Sequence, residues 1–363
     1  MSEQRLEQLR RRIRNLDAAL LGLVAERMEL AREVGREKRS TGVPLRDFEV
    51  EKRVLERAQG QASELGLAPE LARGVMHHLI EEACRLQELE RSSATSGEAE
   101  SVLLIGGAGK MGRWLAHFLE SQGHRVAIHD PRAEGCGWPV VPSLAEGLGW
   151  ASMVFVAVPL ERVGGAIEEV TASGYRGVLC DLASLKEHLH PALEAARRAG
   201  VAVTSIHPMF GPGVRTLADR VIVVCDCGVP SATARVVALF RETAVTLVPL
   251  SLARHDEIAA YVLGLSHLLN LLFARVLERS GLELHELQAV GSTTFQNQLA
   301  TTASVVGESP DLYYAIQRRN RFTARLYDEL RRAAAEWTGW VERDADGAFA
   351  GAKHAARAGL ARG

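Results

Sequence analysis

Between residues 101 and 250 the chain repeats one texture, a short continuous apolar run followed by a stretch of helical periodicity. The runs fall at 102–105, 126–130, 153–158, 177–181, 201–206, 221–224 and 245–248. Runs without polar alternation belong to strands buried on both faces, and a helical crossover makes successive strands parallel. This segment is therefore limited to a mostly parallel sheet with helices on both sides.

The flanks differ. Residues 3–39 contain no proline and only two glycines, Gly22 and Gly35. Leu6, Leu9, Ile13, Leu16, Leu20, Leu23, Val24, Met28, Ala31 and Val34 recur at steps of three and four, a helical stripe. Such a helix is roughly 55 Å long and needs a partner helix to cover it. Residues 40–44 end it, 47 to about 59 predict a second helix, and Pro69 opens a third reaching about residue 91. Residues 92–100 carry no large apolar side chain and read as a linker. Beyond residue 251 only helical patterns follow, broken at Gly281, Gly291, Gly307 and Pro310. The division is thus 1–91 helical, 92–100 linker, 101–250 α/β, 251–343 helical, and an Ala/Gly/Arg-rich tail at 344–363 that is expected to fray.

Composition narrows the function. At 363 residues, 47% apolar and 24% charged, the chain holds several folded units rather than disorder. A net charge of −2 gives no overall footprint for nucleic acid or an anionic membrane, and 5% aromatics argues against a stacking platform. No apolar run approaches the ~20 residues of a membrane span. Cys84, Cys136, Cys180, Cys225 and Cys227 form no CxxC pair and no metal-ligand spacing, so no metal is expected and a reducing cytoplasm is.

Gly107-Ala108-Gly109-Lys110-Met111-Gly112 is a GxGxxG placed after a strand and before a helix. Gly107 permits the tight turn, Gly109 the approach of a pyrophosphate, and Gly112 close helix–strand packing. Lys110 and Met111 open the helix whose N-terminus faces the phosphates. Asp130 ends the next run about 20 residues on, where a carboxylate binds ribose hydroxyls. It repels a 2′-phosphate and favours NAD, while Arg125 and Arg132 nearby keep NADP as the alternative. Pro159 closes the third run at the same edge.

His207 lies at the end of another run, in His207-Pro208-Met209-Phe210-Gly211-Pro212, where Pro208 biases it to extended geometry. Ligands of open α/β sheets sit at this carboxyl edge. Ser184, in Asp181-Leu182-Ala183-Ser184-Leu185-Lys186, follows the adjacent run. A neutral imidazole can accept the proton of an alcohol that loses hydride, and Ser184 can orient either partner. A loop histidine capping a backbone carbonyl is the plainer reading of His207.

The glycine motif, the Asp181–Lys186 string and the His207–Pro212 string resemble the prephenate dehydrogenase family. The first 91 residues resemble the all-helical AroQ-type chorismate mutases, and the order mutase–linker–dehydrogenase resembles the bifunctional enzymes of tyrosine biosynthesis. The resemblance implies an AroQ-type helical domain, a Rossmann-type NAD domain and an all-α dimerisation domain. It also implies chorismate and prephenate as substrates, a homodimer and tyrosine as a feedback ligand.

Residue by residue, it implies that Arg10, Arg27 and Lys38 hold substrate carboxylates. Asp47 and Glu51 hold the substrate hydroxyl, and Lys38 with Gln87 supports the ether oxygen. Arg27 and Lys38 are about three turns apart on one face, whereas Arg10 is roughly 25 Å from Arg27 along the helix. One helix cannot bring both to one small ligand; an intertwined dimer can. In the dehydrogenase, His207 accepts from the 4-hydroxyl beside Ser184. His255 and His267 line the substrate side, with satisfied helix histidines as the equal alternative.

Three positions depart from the family pattern. Val50 and Ala83 replace polar mutase contacts, so a weakened mutase or a mere dimerisation or sensing module is an alternative. Gln296 stands where the family places an arginine for the ring carboxylate, and no Arg or Lys occurs between Arg279 and Arg318. Either Arg215, Arg318, Arg319 or Arg321 supplies the charge, or prephenate is bound poorly, or the substrate is altered, as arogenate or an amino-substituted analogue, although an amino group alone does not explain the loss of a carboxylate partner.

Overall fold

In the computed structural model, residues 2–41, 48–90, 99–214, 216–241 and 243–361 are described. Asp47, Arg215 and most of the expected linker lie outside them. The chain forms two units, Met1–Ser184 with Leu189–Ser251, and Leu185–His188 with Leu252–Gly363.

The first unit opens with three helices, α1 (Ser2–Thr41), α2 (Phe48–Glu64) and α3 (Pro69–Leu89). Pro69 starts α3 at a position where its missing N–H costs nothing. α2 outruns the expected end near residue 59, because Gly60 lies on an open face where its missing side chain leaves no gap. Only the C-terminal part of α1 packs on α3. Met28 and Gly35 are buried there, whereas Leu16, Leu20 and Leu23 are about 60% exposed or more.

The sheet follows, with β1 (Ser101–Ile105), α4 (Lys110–Ser121), β2 (Arg125–His129), α5 (Leu144–Trp150), β3 (Met153–Val156), α6 (Val163–Ala172) and β4 (Val178–Asp181). Then come α7 (His190–Arg198), β5 (Ala202–Pro208), β6 (Val221–Cys225), α8 (Pro230–Ala238) and β7 (Thr246–Leu250). The strand order is β2-β1-β3-β4-β5-β6-β7, all parallel except β5 against β6. Every side chain of β1, β3 and β4 is buried, which is why their sequences show no alternation. The order reverses between β1 and β3, opening a crevice at their carboxyl ends. β5 runs two residues beyond its expected end, because pairing of His207 with Val223 and Pro208 with Ile222 extends it.

The second unit is helical: α9 (Leu252–Ala259), a π-helical turn at Ala260–Leu265, α10 (Ser266–Arg279), α11 (Leu284–Ala289), α12 (Thr293–Val306), α13 (Pro310–Arg319), α14 (Thr323–Glu342) and α15 (Asp346–Leu360). Two expectations are corrected here. The tail at 344–363 is not frayed along its length: α15 docks on α14, with Phe349 edge-on to Trp337 at 4.8 Å between centroids. The expectation of no membrane-length apolar run also fails. Leu252–Arg279 is one continuous helical run of 28 residues, long and apolar enough to cross a membrane, and only a small part of it is buried within this chain.

Candidate active sites

The glycine turn between β1 and α4 is built by exclusion. Gly106 has φ +82°, and a Cβ there would lie 2.8 Å from the Ala157 carbonyl oxygen. A Cβ on Gly112 would lie 2.6 Å from the Gly106 oxygen and the Gly107 Cα, so this position tolerates no side chain. Gly109 is the extended N-cap of α4 and has no side-chain cap, so the first-turn amides face the crevice without a protein acceptor from that residue. Lys110 is exposed there, and Met111 packs half-buried on the core. Pro159 leads out of β3 on the other side of the crevice.

Asp130 is buried after β2. Its Oδ2 accepts from the Ala108 N–H at 3.1 Å and its Oδ1 from the Arg132 N–H at 2.8 Å. The carboxylate therefore also braces the glycine turn, a role the motif spacing did not reveal. The exposed Arg132 guanidinium lies 3.9 Å from Oδ1. A cradle closed to side chains, uncapped helix amides and a buried carboxylate together fit a dinucleotide.

Two strands along, His207 is buried near the end of β5 and Ser184 is half-buried just past β4. β4 and β5 are parallel neighbours, with Asp181 opposite Ser205, so both residues emerge at the carboxyl edge of the sheet. The Asp181 carboxylate accepts from the Ala183 N–H at 2.9 Å and shapes the turn that presents Ser184.

Among the three N-terminal helices lies a cavity of about 300 Å³. Arg27, Lys38, Glu51 and Gln87 line it together with Val50, Ala83 and Cys84. Four of the six residues expected there are thus brought together. Arg27 donates to the Leu79 carbonyl at 2.9 Å, and burial lowers its pKa against an opposing influence from Cys84. Gln87 donates to the Ala31 carbonyl of α1, which sets its direction. Arg10 is exposed on the uncovered part of α1 and does not line the cavity.

The helical unit has its own cavity of about 860 Å³, whose polar walls include Arg318, Arg321, Tyr313, Gln317 and Asn320. Gln296 does not line it; its exposed amide donates to the Gln288 carbonyl at 2.9 Å. His255 is buried and bonded through Nδ1 to Asp256 at 2.7 Å. Asp256 also accepts from the Lys186 and Glu187 amides, so His255 belongs to a structural knot at the start of α9. His267 stacks on Tyr313 at 4.0 Å, has no hydrogen-bond partner for Nδ1 among the described residues, and is held below the usual imidazole range by burial.

Comparison with known proteins covers most of the chain. The family model for chorismate mutase type II matches residues 9–88. The models for the nucleotide-binding and dimerization domains of prephenate dehydrogenase match 129–244 and 251–351. A T-protein of Enterobacter agglomerans is 30% identical over 308 residues, 85% of this chain and 80% of that protein. A 4-amino-4-deoxyprephenate dehydrogenase of Streptomyces pristinaespiralis is 28% identical over 260 residues, 68% of this chain and 87% of its own length. The crystal structure of prephenate dehydrogenase from A. aeolicus with hydroxyphenyl propionate and NAD+ shares the fold, with a TM-score of 0.58 at 14% identity over 74% of this chain and 99% of that one.

Proposed function

The chain belongs to the T-protein family, in which a chorismate mutase is joined to a prephenate dehydrogenase, and from that premise we propose how its residues divide the two reactions. The first converts chorismate to prephenate in the three-helix cavity. The second oxidises prephenate with NAD to 4-hydroxyphenylpyruvate and CO2. The observation that carries this reading is the convergence of Arg27, Lys38, Glu51 and Gln87 on one cavity, in a chain that also holds a dinucleotide crevice two strands from His207.

The rearrangement is pericyclic and needs neither nucleophile nor proton transfer. Arg27 and Lys38 hold carboxylates, Glu51 holds the hydroxyl, and Lys38 with Gln87 stabilises the negative charge that grows on the ether oxygen. Asp47 joins Glu51 in this role. Val50 and Ala83 line the same cavity as apolar walls, leaving the charged set in place. Arg10 enters from a second copy whose α1 covers the exposed stripe of this one, which makes the enzyme a homodimer.

In the dehydrogenase, bound NAD supplies the hydride acceptor. Gly107, Gly109, Gly112 and the first turn of α4 receive its pyrophosphate, and Asp130 its adenosine ribose. His207 accepts the 4-hydroxyl proton as the C4 hydride departs, and Ser184 orients that hydroxyl. The ring carboxylate then leaves as CO2, and its bonding pair completes the aromatic ring. Free cysteines suit a cytoplasmic enzyme.

NADH formation from chorismate alone, then from prephenate, with tyrosine titrated in, tests the whole reading. Absence of NADH with prephenate and NAD in folded protein overturns it. A second reading has a specific motive: Gln296 supplies no cation and is turned to Gln288. The altered substrate would be an amino-substituted prephenate, the class that the Streptomyces pristinaespiralis relative's name carries, and its ring carboxylate still needs a cation from another residue. Comparing kcat/KM for prephenate, arogenate and 4-amino-4-deoxyprephenate decides between them, and Arg318→Ala separates a carboxylate holder in the helical cavity from a bystander by its KM.

A further inference from the structure

Glu88 follows Gln87 on α3, and consecutive helical residues diverge by about 100°. Gln87 reaches α1, whereas Glu88 reaches the β5–β6 connection. Both Glu88 carboxylate oxygens lie 2.8 Å from the Leu217 N–H, and Oε2 also accepts from the Ala218 N–H at 3.2 Å. That connection begins directly after His207 and Pro208. It is closed at its base by the Met209 N–H donating to the Val221 carbonyl at 2.9 Å. Leu217 is itself buried in the sheet's core, so the connection is held by its side chain from one side and by Glu88 from the other. Ile80 and Cys84, which line the three-helix cavity, also pack with Ala244 just before β7. One helix thus forms a wall of the first cavity and a clamp on the segment that follows the imidazole.

We propose that Glu88 is a positioning residue for the dehydrogenase: from the mutase helix, its carboxylate holds the β5–β6 connection so that the His207 edge keeps its working geometry. The proposal rests on the reading of His207 given above. A carboxylate accepting backbone N–H groups makes charge-assisted bonds, and its removal leaves the Leu217 and Ala218 donors without that acceptor. The mutase half is then needed for the oxidation even when prephenate is supplied directly.

The test compares the full-length wild type with Glu88→Ala and Glu88→Gln, in amide hydrogen exchange and in both activities. The expected result for Glu88→Ala is faster exchange confined to 209–220 and at least a tenfold loss of kcat/KM for prephenate at saturating NAD. The KM for NAD and the mutase rate with chorismate alone stay within about twofold. Glu88→Gln, which keeps one acceptor oxygen, recovers part of the loss. Unchanged dehydrogenase kinetics in Glu88→Ala overturn the proposal. So does an equal fall of both activities with exchange rising throughout α3 and the sheet, which marks a merely structural role. Wild-type protein that makes no NADH from prephenate instead refutes the His207 reading, and faster exchange in Glu88→Ala then leaves only a structural tie.

Discussion

In the proposed function, His207 and Asp130 carry their roles in different ways. His207 sits within a strand, so its backbone is set by pairing with Val223 and its imidazole is presented from a rigid edge. His207→Asn keeps the bulk and removes the base, and the dehydrogenase kcat is expected to fall about 10²- to 10⁴-fold with mutase turnover unchanged, measured by separate assays on one preparation. Asp130 braces Ala108 by hydrogen bonding, and in the proposed function it also selects the coenzyme by charge. Asp130→Asn keeps an acceptor oxygen but removes the repulsion of a 2′-phosphate. The ratio of kcat/KM for NADP over NAD should rise at least tenfold, about 1.4 kcal/mol, and an unchanged ratio would show that the carboxylate does not face the ribose. The motif spacing located Asp130. Its second bond, to Ala108, and the bonds from the Lys186 and Glu187 amides to Asp256 join residues well apart in the chain and were not legible in any local pattern.

Helices and turns impose constraints that a missing side chain makes visible. A Cβ on Gly35 would stand 2.7 Å from the Gln87 Cγ, so α1 and α3 approach at a glycine and place the Gln87 amide in the cavity. Gly35→Ala must displace Gln87 and should lower mutase kcat/KM about tenfold while sparing the dehydrogenase more, as parallel assays would show. Gly112→Ala meets backbone atoms that cannot rotate away, costs about 1–3 kcal/mol as overpacking, and should weaken NAD binding, readable by calorimetric titration. The periodicity of α1 and the seven apolar runs predicted these elements well. The end of α2 and the helix at Asp346–Leu360 escaped because burial of Ala58 and Ala62 on either side of the exposed Gly60, and docking of Phe349 on Trp337, outweigh the poor helix propensity of glycine.

For the molecule as a whole, stability depends on what each unit leaves buried or uncovered. Burial lowers the pKa of His267, so the unfolded chain takes up this proton at a higher pH than the folded one. The folded state therefore loses stability as pH falls from about 6.5 through the lowered value, and keeps it above. Urea midpoints at pH 8 and pH 5 should differ less in His267→Phe, which retains the stack on Tyr313, than in the wild type. A parallel pH dependence in both proteins would assign the acid loss to other groups. The exposed leucines of α1 and the largely uncovered apolar Leu252–Arg279 run are apolar faces of the kind that a second subunit covers.

The order of domains, the parallel sheet and the glycine turn were set by local periodicity and motif spacing, because strand burial and helix amphipathicity write themselves into nearby residues. Tertiary structure alone decided which charges share a cavity, that Arg10 stays away from Arg27 within one chain, and that Glu88 reaches across to the connection behind His207. Those contacts join residues separated by tens to more than a hundred positions, and no local pattern records where a folded chain will bring such positions together.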